Sequence, residues 1–197
     1  GTVEATALRP GDHDQLVEIA SVHGDPADLP ILRHWLDRQP EAFTIVRTGS
    51  GEILGFVGIL LLDAPSSDDL AVDPVVAAAW RHASRNDPPR PGQVIGVNRF
   101  FDDRLHGQST SPTFNVVSWK CTQVWLTTPG LAWFYITVRD EQFWTPMMSY
   151  LDFHRVRDAD ADVGGMRLSA YCRDWRRLGP AAWLDLMEER ELGGPIV

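Results

Sequence analysis

The chain has no stretch that is long and apolar enough to cross a lipid bilayer. Its longest uninterrupted apolar run, Ile53 to Leu62 with its glycines counted, has 10 residues, whereas a membrane-spanning helix needs about 20. The chain starts with Gly1 and Thr2, and no charged segment followed by an apolar one comes after them, so we find no signal peptide. We therefore expect a cytoplasmic protein that does not associate with membranes.

The chain has only two cysteines, no histidines at a metal-ligand spacing and no excess of positive charge. Cys121 and Cys172 lie far apart in apolar or strand-like segments, which is typical of reduced core thiols. The six histidines form no pair at a ligand spacing, so we expect no metal site. The formal net charge is −9, with 18 Lys and Arg against 27 Asp and Glu. We expect no nucleic-acid partner, because binding to phosphates needs a basic surface.

Two common catalytic motifs are missing as well. There is no Gly-x-Ser-x-Gly segment of a hydrolase and no Gly-x-x-x-x-Gly-Lys-Ser/Thr phosphate loop. What the chain has is a hydrophobic fraction of 44% and 8 Trp in 197 residues, enough to form one domain over 1–197 with a sizeable core. Trp119, Trp125, Trp133 and Trp144 lie in its central part, where they form either core packing or an apolar acceptor pocket.

Apolar periodicity and turn residues predict the element order β-α-α-β-β-insertion-β-α-β-α-β-β-α. The insertion, 63–92, separates the third and fourth strands; it contains a helix over 74–85 and can act as a lid. Ser111-Pro112 is a strong helix start, and Asp140 or Thr145-Pro146 starts a later helix. The last helix, 180–192, is closed by Gly193-Gly194. Hairpins mixed with crossovers predict an α/β fold with a mixed sheet and helices on both faces.

The segment Arg104 to Ser109 is the best candidate for a binding loop. It lies between a strand and a helix whose N-terminus can bind an anion, and Gly107 lets the backbone approach a phosphate closely. Arg104 can add a charge-assisted contact. The alternative is a plain polar loop before a capped helix, which Asp102 and Asp103 favour because they place negative charge beside the loop.

The loop and the strand order resemble the GCN5-related N-acetyltransferase (GNAT) family. In that family the loop reads Arg/Gln-x-x-Gly-x-Gly/Ala, and Arg104, Gly107 and Ser109 stand at the matching positions, with Ser in place of the final small residue. The segments 8–16, 43–46 and 53–58 look like the family's first strand and helix and its next two strands. The insertion departs from the family, in which the third and fourth strands form a tight hairpin.

The resemblance implies acetyl-CoA, or another acyl-CoA, as cosubstrate. Its pyrophosphate would lie on the loop. Backbone groups of the fourth strand would pair with its pantetheine arm where the fourth and fifth strands separate. The cofactor-binding residues that follow are Val97, Asn98, Arg99, Arg104, Gly107, Gln108 and Ser109.

The reaction that the resemblance implies is direct attack of an amine on the thioester. The family's acid for the leaving thiolate is often a Tyr after the fifth strand, and Tyr150 takes this role in our prediction, although it lacks the Gly-Phe that follows the family's Tyr. No general base is identifiable. Asp63, Asp102, Asp103 and Glu141 are candidates by position only, and surface charges or caps are the alternative.

We therefore predict an acyl-CoA-dependent N-acyltransferase for a small-molecule or protein amine. The alternative is a non-catalytic GNAT-like module that binds a ligand or partner within a larger protein, which the missing base and the acidic pair beside the loop favour. A third possibility is a CoA-dependent reaction other than transfer to nitrogen. Assembly also stays open between a homodimer through helix 180–192 and part of a larger multidomain protein.

Overall fold

The computed structural model describes residues 1–193, and the predicted element order is confirmed. Gly194, expected to close the last helix, lies outside the described residues. The insertion contains two helices rather than one, and a two-residue strand precedes the expected final pair. The strands are β1 (Val3–Ala7), β2 (Phe43–Thr48), β3 (Ile53–Leu62), β4 (Val94–Asp103), β5 (Leu131–Val138), β6 (His154–Arg155), β7 (Ala161–Val163) and β8 (Met166–Asp174). The helices are α1 (His13–His23), α2 (Asp28–Arg38), α3 (Ser67–Val72), α4 (Pro74–Asn86), α5 (Pro112–Thr127), α6 (Glu141–Tyr150) and α7 (Pro180–Leu192).

The strands form one mixed sheet in the order β1-β2-β3-β4-β5-β8-β6, and β7 pairs with β8 at its other end. Every strand pair is antiparallel except β4 with β5. These two strands are parallel because α5 carries the chain back across the sheet between them. The mixed sheet predicted from the sequence is confirmed.

Each face of the sheet is covered by its own helices and hydrophobic core. One core packs α1, α2 and α4 against the sheet, and the other packs α5, α6 and α7. Successive side chains of a strand point to opposite faces, so Phe134 and Tyr135 of β5 lie in different cores. The central strands are therefore buried on both faces. Much of the tryptophan content lies in a cluster of Trp125, Trp175 and Trp183, whose ring centroids are 5.5 Å apart in every pair.

The insertion belongs to the first of these cores. Val75, Val76 and Ala83 of α4 are fully buried, and Asp73 caps the helix by accepting from the backbone N–H groups of Val75 and Val76. The predicted insertion had a single helix, over 74–85, so α3 was missed. Its signal was the capping box of Ser66, which exchanges hydrogen bonds with Asp69.

One helix start, that of α6, needed the structure to settle it. Asp140 caps α6 through the backbone N–H of Phe143, so α6 begins one turn before Thr145-Pro146 and contains Pro146 in its interior. Ser111 caps α5 as predicted. None of the helices within residues 1–193 combines the length and the apolar character that a membrane crossing requires.

Candidate functional site

β4 and β5 separate partway along their length. Their pairing runs from Val94 and Leu131 to Asn98 and Ile136, and there it ends. On its other side β4 stays paired with β3, but the register shifts between Gly58 and Ile59, so that Arg99 is an extra, bulged residue. A bulge bends a strand and increases its twist. From Arg99 to Asp102 the β5-facing edge of β4 has no strand partner, and we call this opening the strand gap. At its far end Asp103 forms a backbone bridge with Gly107 of the following loop.

An ion pair bridges the mouth of the strand gap. Arg139, directly after β5, donates to both carboxylate oxygens of Asp102 on β4, at 2.7 and 2.9 Å. The backbone N–H of Arg139 also donates to the Gln108 side chain at 3.2 Å. The Asp102 side chain is only 3% exposed. Burial raises the pKa of Asp102 overall, although the Arg139 guanidinium opposes the rise. Asp102 is therefore a buried, paired carboxylate at the mouth of the strand gap.

The loop between β4 and α5 is folded around the carboxylate of Asp103. This carboxylate accepts from the backbone N–H groups of Leu105 and His106, both at 3.1 Å, and from the hydroxyl of Thr113 at 2.8 Å. Two amides that an anion could use are thus already occupied. Among the described residues, the backbone N–H groups of Gln108, Thr110 and Ser111 have no hydrogen-bond partner. These three donors at the start of α5 remain free for an anion.

The loop residues named by the family resemblance are only partly brought together. Gly107 adopts a φ of +60°, where a side chain would be strained and would approach the His23 ring. Gly107 and Ser109 line an open pocket with Gln108 and Arg139. Arg104 instead donates through Nε to the carbonyl of Ile53 and lies 3.9 Å from the carboxylate of Glu18, so its bonds lead away from the helix start.

A buried charge network lies beside Arg99. Arg99 is on the face of the sheet covered by α1 and α2, where its Nε donates to both carboxylate oxygens of Asp73 and an Nη donates to Asp28 at 2.6 Å. The indole N–H of Trp35 also donates to Asp73, at 2.8 Å. Burial alone would lower the pKa of Arg99, but the charges of Asp73 and Asp28 raise it above its usual value. Arg99 therefore stays charged and fixed at the bulge.

On the other face, an apolar groove runs from the strand gap between α5 and α6. It encloses a cavity of about 50 Å³. Asn98 and Gln108 lie at its gap end, and the carboxamide oxygen of Asn98 is buried with no hydrogen-bond partner. We call this feature the α5–α6 groove. Its lining consists of Asn98, Phe101, Gln108, Phe114, Val117, Ser118, Cys121, Trp125, Ile136, Thr137, Val138, Trp144, Met147, Met148 and Leu151.

Tyr150 is not among the residues that line the groove. Asp152 has a φ of +65°, a conformation that favours glycine, and Phe153 follows it. Met147 and Met148 of the same helix do line the groove. The role of Tyr150 as the acid stays a prediction that the groove lining does not support.

Of the four carboxylates considered as bases, the structure brings one to the strand gap. Asp102 lies there, as described above. Asp63 follows β3 and lines a separate surface pocket with residues of α2. Asp103 holds the β4–α5 loop together. Glu141, the first residue of α6, pairs with Arg155 and Arg157, and hydrogen bonding to Arg155 lowers the pKa of its carboxyl.

Neither cysteine shows the features of a nucleophile. Cys121 lines the groove, and Cys172 lies beside Tyr135 across the β5–β8 pair. Burial raises the pKa of both thiols, that of Cys172 to about 12. No group of three or more His, Cys, Asp and Glu side chains within residues 1–193 is placed to hold a metal ion.

Sequence reasoning missed Arg139 and the side chain of Asn98. Arg139 follows an apolar strand and precedes a helix cap, a position that carries no motif. Its role depends on the ion pair with Asp102, which lies 37 residues earlier in the chain and is brought within reach only by the fold. Asn98 was selected for its backbone, whereas the structure adds an unpartnered side-chain oxygen.

Comparison with solved structures gives the fold. FeeM, an N-acyl amino acid synthase from uncultured soil microbes, is 15% identical, with a TM-score of 0.57 over 93% of this chain and 98% of that one. Arabidopsis thaliana NAA60 in complex with acetyl-CoA is 11% identical, with a TM-score of 0.57 over 89% and 99%. Arylalkylamine N-acetyltransferase 2 from Aedes aegypti is 10% identical, with a TM-score of 0.56 over 88% and 99%.

The chain therefore has the fold of the GNAT acetyltransferases, as the resemblance predicted. No protein-family model matches the sequence, and no curated protein matches it either. At these identities the likeness concerns the fold, and the chemistry has to be argued from the residues of this chain.

Proposed function

We propose that the chain is an acyl-CoA-dependent N-acyltransferase for a small-molecule or protein amine. The observation that carries the proposal is the strand gap, where β4 presents an unpaired edge beside an apolar groove. An extended amide-containing arm can add to such an edge by backbone hydrogen bonding. Proteins with this fold include one solved with acetyl-CoA and others named as N-acyl or N-acetyl transfer enzymes.

The residues at the gap fit an acyl-CoA. The free edge of β4 from Arg99 to Asp102 faces the pantetheine arm in this proposal. The backbone of Val97 and Asn98, which the resemblance also named, is paired with β5 and is not available to the arm. The free amides of Gln108, Thr110 and Ser111 hold the pyrophosphate in this proposal, with Gly107 and Ser109 allowing close approach. Arg139 supplies the positive charge that the resemblance assigned to Arg104, because Arg139 lines the same pocket as the loop.

The chemistry follows from which groups reach the gap. An acyl-CoA supplies an activated acyl group, and the reaction forms a C–N bond while the C–S bond breaks and a thiolate leaves. Asp102 takes the proton of the attacking amine, and its raised pKa suits a base. The unpartnered carboxamide oxygen of Asn98 accepts a hydrogen bond from the attacking amine in this proposal. The thiolate takes its proton from solvent in this proposal, because Tyr150, the donor that the resemblance named, does not line the groove.

The charges near the gap favour a cationic acceptor. On the α1–α2 face, three carboxylates, those of Asp28, Asp73 and Asp102, surround two guanidinium groups, those of Arg99 and Arg139. The excess of one negative charge agrees with the net charge of −9 and would attract a protonated amine.

Calorimetric titration with acetyl-CoA and with CoA tests the donor. We expect micromolar binding that weakens at least tenfold in Arg139→Gln. Arg155→Gln is a matched control, because Arg155 also forms a two-point ion pair with a buried Asp, at 2.6 and 2.8 Å, but away from the gap. Arg104→Ala tests the role that the resemblance gives to Arg104. Equal weakening by Arg139→Gln and Arg155→Gln would contradict the proposed site.

The second candidate is a non-catalytic module that binds a ligand or partner. It is favoured by Asp103, which occupies two amides of the loop, and by the bonds that hold Arg104 away from the helix start. No binding of either nucleotide at millimolar concentration would support this candidate and exclude the acyltransferase. A pull-down with the chain as bait would then identify the partner.

A further inference from the structure

We propose that a cavity at the β8 edge of the sheet binds a small organic anion, in which a carboxylate or phosphate group is attached to an apolar body the size of one aromatic ring. The cavity lies between α4, β6 and the turn after β8, and we call it the edge cavity. Its wall residue Trp133 is near the start of β5, whereas Arg139 follows the end of that strand. About 20 Å of strand separates the two, at roughly 3.3 Å per residue. The edge cavity is therefore separate from the site of the proposed acyl transfer.

The edge cavity exists because β8 extends beyond its neighbour in the sheet. β6 has only two residues, and it pairs with Tyr171 and Cys172 of β8. The next residues of β8, Arg173 and Asp174, therefore border a cavity on that side instead of a strand. Its volume is about 350 Å³, which is near the lower end of the range for small-molecule sites.

A buried guanidinium in the wall has one hydrogen-bond donor left over. The Arg173 side chain is only 3% exposed. Its Nε donates to Asp152 at 3.2 Å and its Nη1 to the carbonyl of Leu178 at 2.9 Å, and both partners also line the cavity. Its Nη2 is buried and has no partner within residues 1–193. Burial lowers the pKa of Arg173, and Asp152 offsets this only in part. Since buried donors are nearly always paired, an anionic oxygen at Nη2 would complete the site.

The other charges of the wall leave a second guanidinium free. Asp174 accepts from Nε and Nη2 of Arg176, at 2.9 and 3.0 Å, and Asp152 lies 4.0 Å from a further cation, Arg190. Arg177 is 79% exposed, with its Nε 4.0 Å from Asp174, and its guanidinium makes no hydrogen bond in the described part of the chain. The two Nη groups of Arg177 can therefore form a forked contact with a carboxylate or phosphate.

The remaining wall fits an apolar body attached to the anion. Val156, Leu178 and the rings of His82 and Trp133 line the cavity. The indole N–H of Trp133 already donates to the carbonyl of Asp87 at 2.9 Å, so the ring offers the ligand its carbon surface. Covering this surface adds to the affinity, and a bare inorganic anion gains nothing from it.

NMR titration of the chain with isotope-labelled tryptophan tests the proposal. The probes are phenyl phosphate, phenylacetate, inorganic phosphate and the uncharged phenylacetamide. We expect both aromatic anions to shift the indole signals of Trp133 and of Trp175, whose ring lies 4.1 Å from the Arg173 guanidinium, with dissociation constants below about 1 mM. Inorganic phosphate should bind at least about tenfold more weakly, and phenylacetamide should leave the signals unchanged. The tighter of the two aromatic anions identifies which group the site is built for.

Arg177→Gln should weaken the binding of phenyl phosphate at least about tenfold, because a charge-assisted contact is lost. Arg157→Gln is its matched control, since Arg157 is 73% exposed and pairs with Glu141 at 3.5 Å but does not line the cavity. Arg173→Lys keeps the charge, removes Nη2 and should also weaken binding. If Arg173→Lys does not fold, Arg177→Gln and its control still decide.

Trp144 separates the edge cavity from the loop before α5, because it lines the open pocket beside Gln108. Shifts of Trp144 without shifts of Trp133 would place the anion on that loop and overturn the proposal. No shift of Trp133 at about 10 mM of either aromatic anion would also overturn it. Equal binding of phenylacetamide, or equal weakening by Arg177→Gln and Arg157→Gln, would have the same consequence. Titration with acyl-CoA involves none of these wall residues, so either proposal can fail while the other stands.

Discussion

The ion pair between Asp102 and Arg139 allows a prediction in which the two partners are not equivalent. The Asp102 side chain is 3% exposed, whereas that of Arg139 is 18% exposed. Removing Arg139 leaves a buried carboxylate without its counter-charge, and such losses cost about 3–5 kcal/mol. Removing the charge of Asp102 leaves a guanidinium that can still reach water. We therefore expect Arg139→Gln to lower the free energy of unfolding by about 4 kcal/mol and Asp102→Asn by only about 1–2 kcal/mol.

The double variant separates pair energy from burial energy. Two unit charges 4 Å apart attract by about 4 kcal/mol at an effective dielectric constant near 20. Since the second substitution removes a charge that has already lost its partner, the double variant should be destabilised by about 2 kcal/mol, less than the sum of the single variants. Urea unfolding followed by tryptophan fluorescence measures all four chains, and equal m-values establish that the comparison is valid.

The pH dependence supplies an independent check on the sign. Burial already raises the pKa of Asp102, so the folded state keeps the proton at a pH where the unfolded chain has lost it. Such a group contributes stability below the unfolded pKa and loses it as the pH rises through the folded pKa. Without Arg139 the pKa rises further, and the destabilisation by Arg139→Gln should be larger at pH 8 than at pH 5. Asp102→Asn costing more than Arg139→Gln, or a pH-independent effect, would refute this reasoning.

Three further predictions concern the loop, the last turn of α6 and the half-buried histidine His82. Asp103→Ala should lower the free energy of unfolding by about 3 kcal/mol, because the buried Thr113 hydroxyl and two loop amides lose a charged acceptor. Asp103→Asn should lower it by about 1 kcal/mol. Urea unfolding measures both, and a loss below about 0.5 kcal/mol for the alanine variant would contradict the role of Asp103 in holding the loop. Tyr150→Phe should leave kcat within twofold once an acceptor is known, because Tyr150 does not line the groove, whereas a hundredfold loss would restore it as the acid. Burial lowers the pKa of His82, so on acidification the unfolded state is protonated before the folded state, and stability should fall as the pH drops below about 6.5. His82→Gln should remove this pH dependence of stability, whereas substitution of the exposed His154 by Gln should not. The same pH dependence in both variants would contradict the prediction.

Local signals in the sequence were sufficient for most elements of the fold. Ser111-Pro112 predicted the start of α5, and the apolar run of β3 predicted a central strand buried on both faces, because these signals depend on neighbouring residues only. The helix α3 was missed because six residues contain too little periodicity to register.

The candidate site was predictable in location but not in its chemistry. The loop after the fourth strand was identified from Gly107 and its position before a capped helix. That Asp103 would occupy two loop amides, and that Arg104 would bond to Ile53, could not be read from the sequence, since each acidic or basic residue there had several partners within reach. Tyr150 illustrates the same limit on α6, where a shift of two residues turns a side chain out of the groove.

The sequence by itself determined the element order, the mixed sheet and the place of the loop, because caps, turns and hydrophobic periods act over a few residues. Tertiary structure alone decided where β4 leaves β5, which depends on the register of β4 against β3 and the bulge at Arg99. It also decided that Arg139 meets Asp102 and that an apolar groove opens beside Asn98. A buried charge is stabilised by whichever partner the fold brings within about 3 Å, and that distance exists only once distant strands and helices have packed.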